Sequence, residues 1–302
     1  MREQETTFGP TKTATVHGTT LAYREEGTGE PVVFVHGGIS DLRTWEHQLP
    51  SIGSAYRAIV YSRRSCRPNE HVDPAQGDLI ALASDDLAAF LREIDAVPAH
   101  LVGNSVGGLF SLLVAIRHPG LVRSLVVEEP AVAGLFLSDP PRAGEVIWLL
   151  ATRPRAAVAI LRYGLNTVVA TSRIMRRGDD EGAARVFARG VLGAQAFERL
   201  SSERWEQVLE NLGELRAYAR GLARFPPIDD AGVRSLRVPV LLMTSEHGPA
   251  ALHHLTDRLE ELLRSAERVE IPEASHLMHE DNPTAVNASI LGFLGRRTGD
   301  SI

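Results

Sequence analysis

Gly103-Asn104-Ser105-Val106-Gly107 has the residue types and spacing that could do chemistry in this 302-residue chain. Small residues on both flanks let a backbone turn sharply from strand to helix, and a serine between them then projects from a strained position as a candidate nucleophile. Leu101-Val102 before it reads as strand, and residues 106–118 read as a helix halted by Pro119-Gly120. A serine hydroxyl attacks a carbonyl only when a base takes its proton, so a histidine is expected on a late loop. His276 meets that need: residues 268–271 read as a last strand, 272–276 as the loop leaving it, and Asn282-Pro283 as the start of the final helix. His279 is the nearest competitor, and His276 is preferred because its loop leaves the strand end directly.

These residues need a scaffold. Apolar runs at 32–35, 58–61, 101–102, 125–127 and 238–243 each end in a polar or glycine-bearing segment, and helix-patterned stretches such as 79–94 separate several of them. Near-continuous apolar strands of this kind predict an α/β fold whose parallel sheet is buried on both faces, with the ligand crevice at the strands' carboxyl ends. Residues 131–232 break the pattern. They show no clear strand, several amphipathic helices and proline breaks at Pro140-Pro141, Pro154 and Pro226-Pro227. A helical cap inserted between core segments 1–130 and 233–302 is expected, with Trp148, Trp205, Tyr163 and Tyr218 available to wall the crevice.

Composition narrows the chemistry. The net charge of −6 has the wrong sign for neutralising phosphates, so neither nucleic acid nor a membrane surface is an expected partner. Lys12 is the only lysine, which argues against Schiff-base, pyridoxal phosphate and P-loop chemistry. Cys66 is the only cysteine, so no intrachain disulfide or CxxC motif exists, and a reducing, cytoplasmic setting is expected. No export signal and no apolar run long enough to span a bilayer is readable. His247, His253, His254, His276 and His279 match no metal-ligand spacing, so neither a metal nor another cofactor is expected.

His36-Gly37-Gly38 after the third strand, the Ser105 turn, the helical insertion and Ser275-His276 before the last helix occur here in a telling order. With them the chain resembles the capped α/β-hydrolase superfamily over about residues 13–297. That resemblance implies an eight-stranded, mostly parallel sheet, Ser105 as nucleophile, His276 as base, and the N–H groups of Gly38 and Val106 as oxyanion hole. One departure matters. Many relatives place the aspartate that orients the histidine after the seventh strand, where this chain has Ser245-Glu246-His247-Gly248-Pro249, with glycine at the aspartate position. A subgroup that includes the zearalenone-type lactonases uses a glutamate at the end of the sixth strand instead, and Glu128-Glu129-Pro130 is similar to it. Glu129 is the acid this implies, with Glu128 and Glu246 as rivals. Because successive strand residues face opposite sides, one of Glu128 and Glu129 is expected to meet solvent or the cap.

Residues 61–69 also depart from the family's usual pattern. Arg63, Arg64 and Arg67 there fit either an anionic substrate group or salt bridges that fix the turn. Cys66 reads as a packing residue. The expected function is a serine hydrolase that cleaves a mainly apolar carboxylic ester or lactone through an acyl-enzyme, with no cofactor. Haloalkane dehalogenases and epoxide hydrolases of the superfamily carry aspartate where Ser105 stands, so neither activity is expected. Carbon-carbon bond hydrolysis by the same triad and a non-catalytic ligand sensor are the alternatives. A small molecule is the expected partner, and the sequence leaves open whether the chain forms a homo-oligomer.

Overall fold

Every strand end that the sequence marks as chemically interesting lies in one sheet. The computed structural model describes residues 10–70 and 80–298. Its strands are β1 (Lys12–Val16), β2 (Thr19–Glu26), β3 (Pro31–Val35), β4 (Arg57–Tyr61), β5 (Ala99–Asn104), β6 (Val122–Glu128), β7 (Val240–Ser245) and β8 (Ala266–Ile271). They run in the order β1-β2-β4-β3-β5-β6-β7-β8, antiparallel at the β1-β2-β4 edge and parallel from β4 onward. The fold is the expected α/β arrangement with a mostly parallel eight-stranded sheet.

Successive strand side chains point to opposite faces, and both faces are apolar. Val33, Val35, Leu101, Leu125 and Val127 pack on α2 (Ala83–Glu93), α3 (Val106–Arg117) and α12 (Ala250–Leu262). Val32, Phe34, Val102, Val126 and Met243 pack instead on α1 (Gln48–Gly53) and α14 (Pro283–Thr298), through Leu49, Ile52, Val286, Ile290 and Phe293. The helix read at 79–94 is shorter than the pattern suggested. Residue 79 lies outside the described residues, and 80–82 form a turn before Ala83.

Between β6 and β7 the structure has helices and no strand. These are α4 (Ala143–Thr152), α5 (Pro154–Tyr163), a π-helical turn (Gly164–Val169), α6 (Ala170–Met175), α7 (Asp180–Leu192), α8 (Ala194–Glu198), α9 (Ser202–Glu210), α10 (Gly213–Ala219) and α11 (Asp230–Ser235). A short helix, α13 (Met278–Asp281), lies between β8 and α14. Among the described residues no helix is long and apolar enough to cross a membrane.

Candidate active site

Ser105 is the one-residue hinge between β5 and α3, with φ 53° and ψ −119°. A non-glycine residue in that region costs on the order of 1–3 kcal/mol, so the surroundings must hold it there. They do so through the backbone: Ser105 N–H donates to Glu128 O at 2.9 Å, and Ser105 O accepts from Ala131 N–H at 3.0 Å and Leu109 N–H at 3.2 Å. Gly107 is needed for the close approach, because a Cβ there would collide with the Val35 carbonyl. The turn therefore sits between the ends of β3 and β6.

Gly38 and Val106 face each other across this turn: a Cβ on Gly38 would stand 4.0 Å from the Val106 side chain. The Val106 N–H is the first of α3, so no carbonyl of that helix can accept it, and the helix's N-terminal dipole adds positive potential there. Neither the Gly38 nor the Val106 N–H donates to another described residue.

His276 is buried on the loop after β8, with its Nδ1 2.7 Å from Glu129 Oε2. Donation of that N–H to a carboxylate leaves the Nε2 lone pair free, the protonation a general base needs. Among the described residues no hydrogen bond joins Ser105 Oγ to His276, a contact that commonly tightens only around substrate. Glu129 is fully buried. Its Oε1 accepts from Ser245 N–H at 2.9 Å and Ser245 Oγ–H at 2.6 Å, and His253 Nε2 lies 3.2 Å away. Gly248 explains why no aspartate stands after β7. A Cβ at that position would collide with Glu129 Oε1 and Ser245 Oγ, so the glutamate fills the space a side chain there would need.

Glu128 is also fully buried, which corrects the expectation that one of the two glutamates meets solvent or the cap. Strand alternation ends at Glu128, and Glu129 follows with φ 40°, so two consecutive carboxylates reach two histidines, His276 on the loop after β8 and His279 in α13. Glu128 Oε2 lies 2.7 Å from His279 Nδ1, while His279 Nε2 lies 2.9 Å from Thr44 Oγ1 and the ring stacks on Trp45 at 4.1 Å. His279 is thus enclosed, both ring nitrogens occupied. Asn104 joins the two dyads, its Nδ2 donating to Glu128 Oε2 at 3.3 Å and to the His276 carbonyl at 3.1 Å. Glu246 is exposed and accepts the Glu273 N–H at 2.8 Å, a brace between neighbouring loops.

The arginines after β4 are paired with carboxylates: Arg63 with Glu214, Arg64 with Asp86 and Arg67 with Glu210. Arg63 does most. Its guanidinium also donates to the Gly37 carbonyl at 2.8 Å and the His36 carbonyl at 3.3 Å, and it lies 5.2 Å from the Phe110 ring centre. It ties α10 to the loop that carries Gly38. His36 accepts the Arg63 N–H at Nε2, 3.0 Å away, and its Nδ1–H donates to the Gly37 carbonyl at 2.8 Å. Burial, with the Arg63 charge beside it, holds His36 well below its ordinary pKa and therefore neutral. Breaking a buried pair leaves one charge uncompensated, so Arg63→Met should lower stability by about 3–5 kcal/mol in denaturant titration. Arg63→Met/Glu214→Leu should recover most of that loss.

Burial alone would raise the Glu129 pKa, but hydrogen bonds from His253 and His276, the His276 charge and the Ser245 hydroxyl hold it at about 2. The carboxylate is then ionised across the working pH range. Its stabilisation is full above the ordinary value of 4.5 and falls as pH drops toward about 2. His253 has the opposite sign. Its hydrogen bond to Glu129 raises its pKa against partial burial, so its stabilisation is full below the ordinary value of 6.5 and is lost as pH rises through the folded value. Calorimetric melting from pH 5 to 9 should show His253→Gln flattening the alkaline side of the wild-type profile.

Sequence reasoning brought Ser105, His276, Glu129, Gly38 and Val106 together but missed the supports around them. The glycine at the aspartate position, Gly248, was the available signal that Ser245 and its neighbours make room for another acid. His253 and Glu214 sit in no motif, so only the fold reveals their contacts.

A family model described as the alpha/beta hydrolase family matches residues 32–289. The chain belongs to that family. Among curated relatives, an uncharacterized hydrolase of Bacillus subtilis, YraK, is 29% identical over 133 residues, 44% of this chain and 49% of the relative. A haloalkane dehalogenase of Sphingobium indicum is 23% identical over 296 residues, 96% of each chain. Among solved structures, the enol-lactonase of Burkholderia xenovorans LB400 superposes with a TM-score of 0.73 at 19% identity, covering 94% of this chain and 100% of its own. In this hydrolase the matched segment starts on β3 and ends in α14, so it takes in the Gly38 loop, the Ser105 turn, both glutamates and His276.

Proposed function

We propose that this hydrolase cleaves a mainly apolar carboxylic ester or lactone through an acyl-enzyme on Ser105. The observation that carries the reading is the 2.7 Å contact between Glu129 Oε2 and His276 Nδ1 at the ends of β6 and β8, on the same side of the sheet as the Ser105 turn. Ser105 Oγ attacks the carbonyl carbon while His276 Nε2 takes its proton, and Glu129 stabilises the imidazolium. The N–H groups of Gly38 and Val106 receive the oxyanion, a contribution of about 3–4 kcal/mol per donor. The tetrahedral adduct collapses as His276 returns the proton to the departing alkoxide, and water repeats the sequence on the acyl-enzyme. Serine where dehalogenases and epoxide hydrolases of the superfamily carry aspartate argues against an alkyl-enzyme ester.

Residues 131–232 act in this reading as a cap, and its apolar side chains argue for an apolar substrate. Ile39, next to Gly38, packs with Ala184, Val208 and Leu212, and Val106 packs in a cluster with Tyr218 and Phe225. The buried, lone Cys66 suits the reducing cytoplasm. An alkyl fluorophosphonate followed by peptide mass mapping tests the nucleophile, with the adduct expected on Ser105. A panel of p-nitrophenyl esters of graded chain length beside macrocyclic lactones ranks the substrates. Failure of Ser105 to label above background, with no turnover of either class, would favour a ligand-binding protein.

A further inference from the structure

The cap carries a surface that hydrolysis does not use. Among the described residues eight large hydrophobic side chains are exposed, and five of them, Ile147, Trp148, Leu150, Val158 and Leu165, fall in α4, α5 and the π-helical turn after α5. Trp148 is 51% exposed and Val158 and Leu165 are each 61% exposed, so these side chains stand in water rather than in a core. The same stretch is strongly basic. Residues 142–177 hold seven arginines and one carboxylate, Glu145, a net charge of +6 within a chain whose total is −6.

Elsewhere the arginines are mostly tied to carboxylates, as in Arg63–Glu214, Arg64–Asp86, Arg216–Asp180 and Arg258–Asp230. Here Arg153 holds Glu261, but Arg155, Arg162, Arg173, Arg176 and Arg177 have no carboxylate partner among the described residues. Arg155, Val158, Arg162 and Leu165 are spaced i, i+3, i+7 and i+10, which puts basic and apolar side chains alternately along one helical stripe.

We propose that the outer face of α4 to α6 docks this hydrolase on an anionic lipid bilayer. Such a surface offers headgroup charge to the arginines and an apolar layer to Trp148, Ile147 and Val158, the match that interfacial helices use. Tryptophan suits the headgroup level. A second copy of this face is a poorer occupant, because a two-fold contact would set arginine against arginine. The expectation of no membrane partner rested on the net charge of the whole chain, and the structure segregates that charge. The stripe borders a groove of about 750 Å3 between α5 and α12, lined by Arg155, Val158, Arg162, Tyr163, Pro249 and His254.

The test is sedimentation of the full chain with phosphatidylcholine vesicles, neutral or with roughly a third phosphatidylglycerol, while tryptophan emission is followed. About tenfold or more tighter partitioning into the anionic vesicles is expected, weakened by salt, with a blue shift in emission. Trp148→Phe should remove the shift and keep sedimentation, since Trp45 is buried in the core and Trp205, half-buried against Phe197 and Arg185, belongs to α9 rather than to this face. Arg155→Glu/Arg162→Glu should cut partitioning about tenfold or more with an unchanged melting temperature. Absence of sedimentation, equal partitioning into neutral and anionic vesicles, or self-association that hides Trp148 without lipid would each overturn the proposal. None of these readings depends on which ester is cleaved.

Discussion

Ser105→Ala is expected to lower kcat by about six powers of ten and to abolish labelling by a fluorophosphonate, while the melting temperature stays within about a degree of wild type. The hydroxyl is the only atom removed. Alanine occupies the same left-handed backbone as serine, so the strain at φ 53° is retained and the hydrogen bonds that anchor the turn are untouched. Ser105→Gly should be equally inactive yet more stable by about 1 kcal/mol, because glycine adopts that conformation at little cost. His276→Ala should match the loss, and Ser105→Ala/His276→Ala should be no worse than either, since triad members act as a unit. Stopped-flow and steady-state assays on the best p-nitrophenyl ester measure these effects. Turnover within tenfold of wild type in Ser105→Ala would remove the serine mechanism.

Glu129→Gln should lower kcat by roughly three to four powers of ten with KM little changed. The amide can still accept from Ser245 at one end, but at the other it sets an N–H against the His276 Nδ1–H or drives the ring into the wrong tautomer. Glu246→Gln should be nearly silent, because that carboxylate braces Glu273 N–H on an exposed loop. Gly248→Asp should also impair activity in an otherwise native chain, since even its Cβ would displace Glu129 Oε1. Adding Gly248→Asp to Glu129→Gln should recover part of kcat if the aspartate can reach His276 from the β7 side. A Gly248→Asp single variant with full activity would show that the acid does not depend on the space Gly248 leaves.

Much of this arrangement is legible in the sequence. Apolar runs ending in Gly37-Gly38, Gly103 and Glu128-Glu129 locate β3, β5 and β6, because a sheet buried on both faces admits few polar residues until its strand ends. Pro119 stops α3, and Asn282-Pro283 precedes α14, as local backbone chemistry dictates. The two outer strands were harder to read. β1 and β2 pair antiparallel at the sheet edge and bury only Ala14 and Val16 in the one and Leu21 and Ala22 in the other, so they lack the continuous apolar signature. Glu128 shows where the reasoning fails. Period-two alternation holds only inside the strand, and a left-handed residue immediately after it turns both carboxylates inward. Arg63 and Glu214 lie 151 positions apart, in a turn and in α10 with no shared motif, so only tertiary proximity pairs them.

The twin dyads bear on how the chain is made. Glu129 and His276 are 147 positions apart, and Glu128 and His279 are 151. While the ribosome is still adding β8, a folded half-sheet would enclose two neighbouring carboxylates with no histidine to receive them, and buried unpaired charge is strongly unfavourable. The nascent chain therefore has reason to leave the end of β6 open to water until its last few dozen residues emerge. Completion of the sheet and closure of the two dyads then fall together in one late, long-range step.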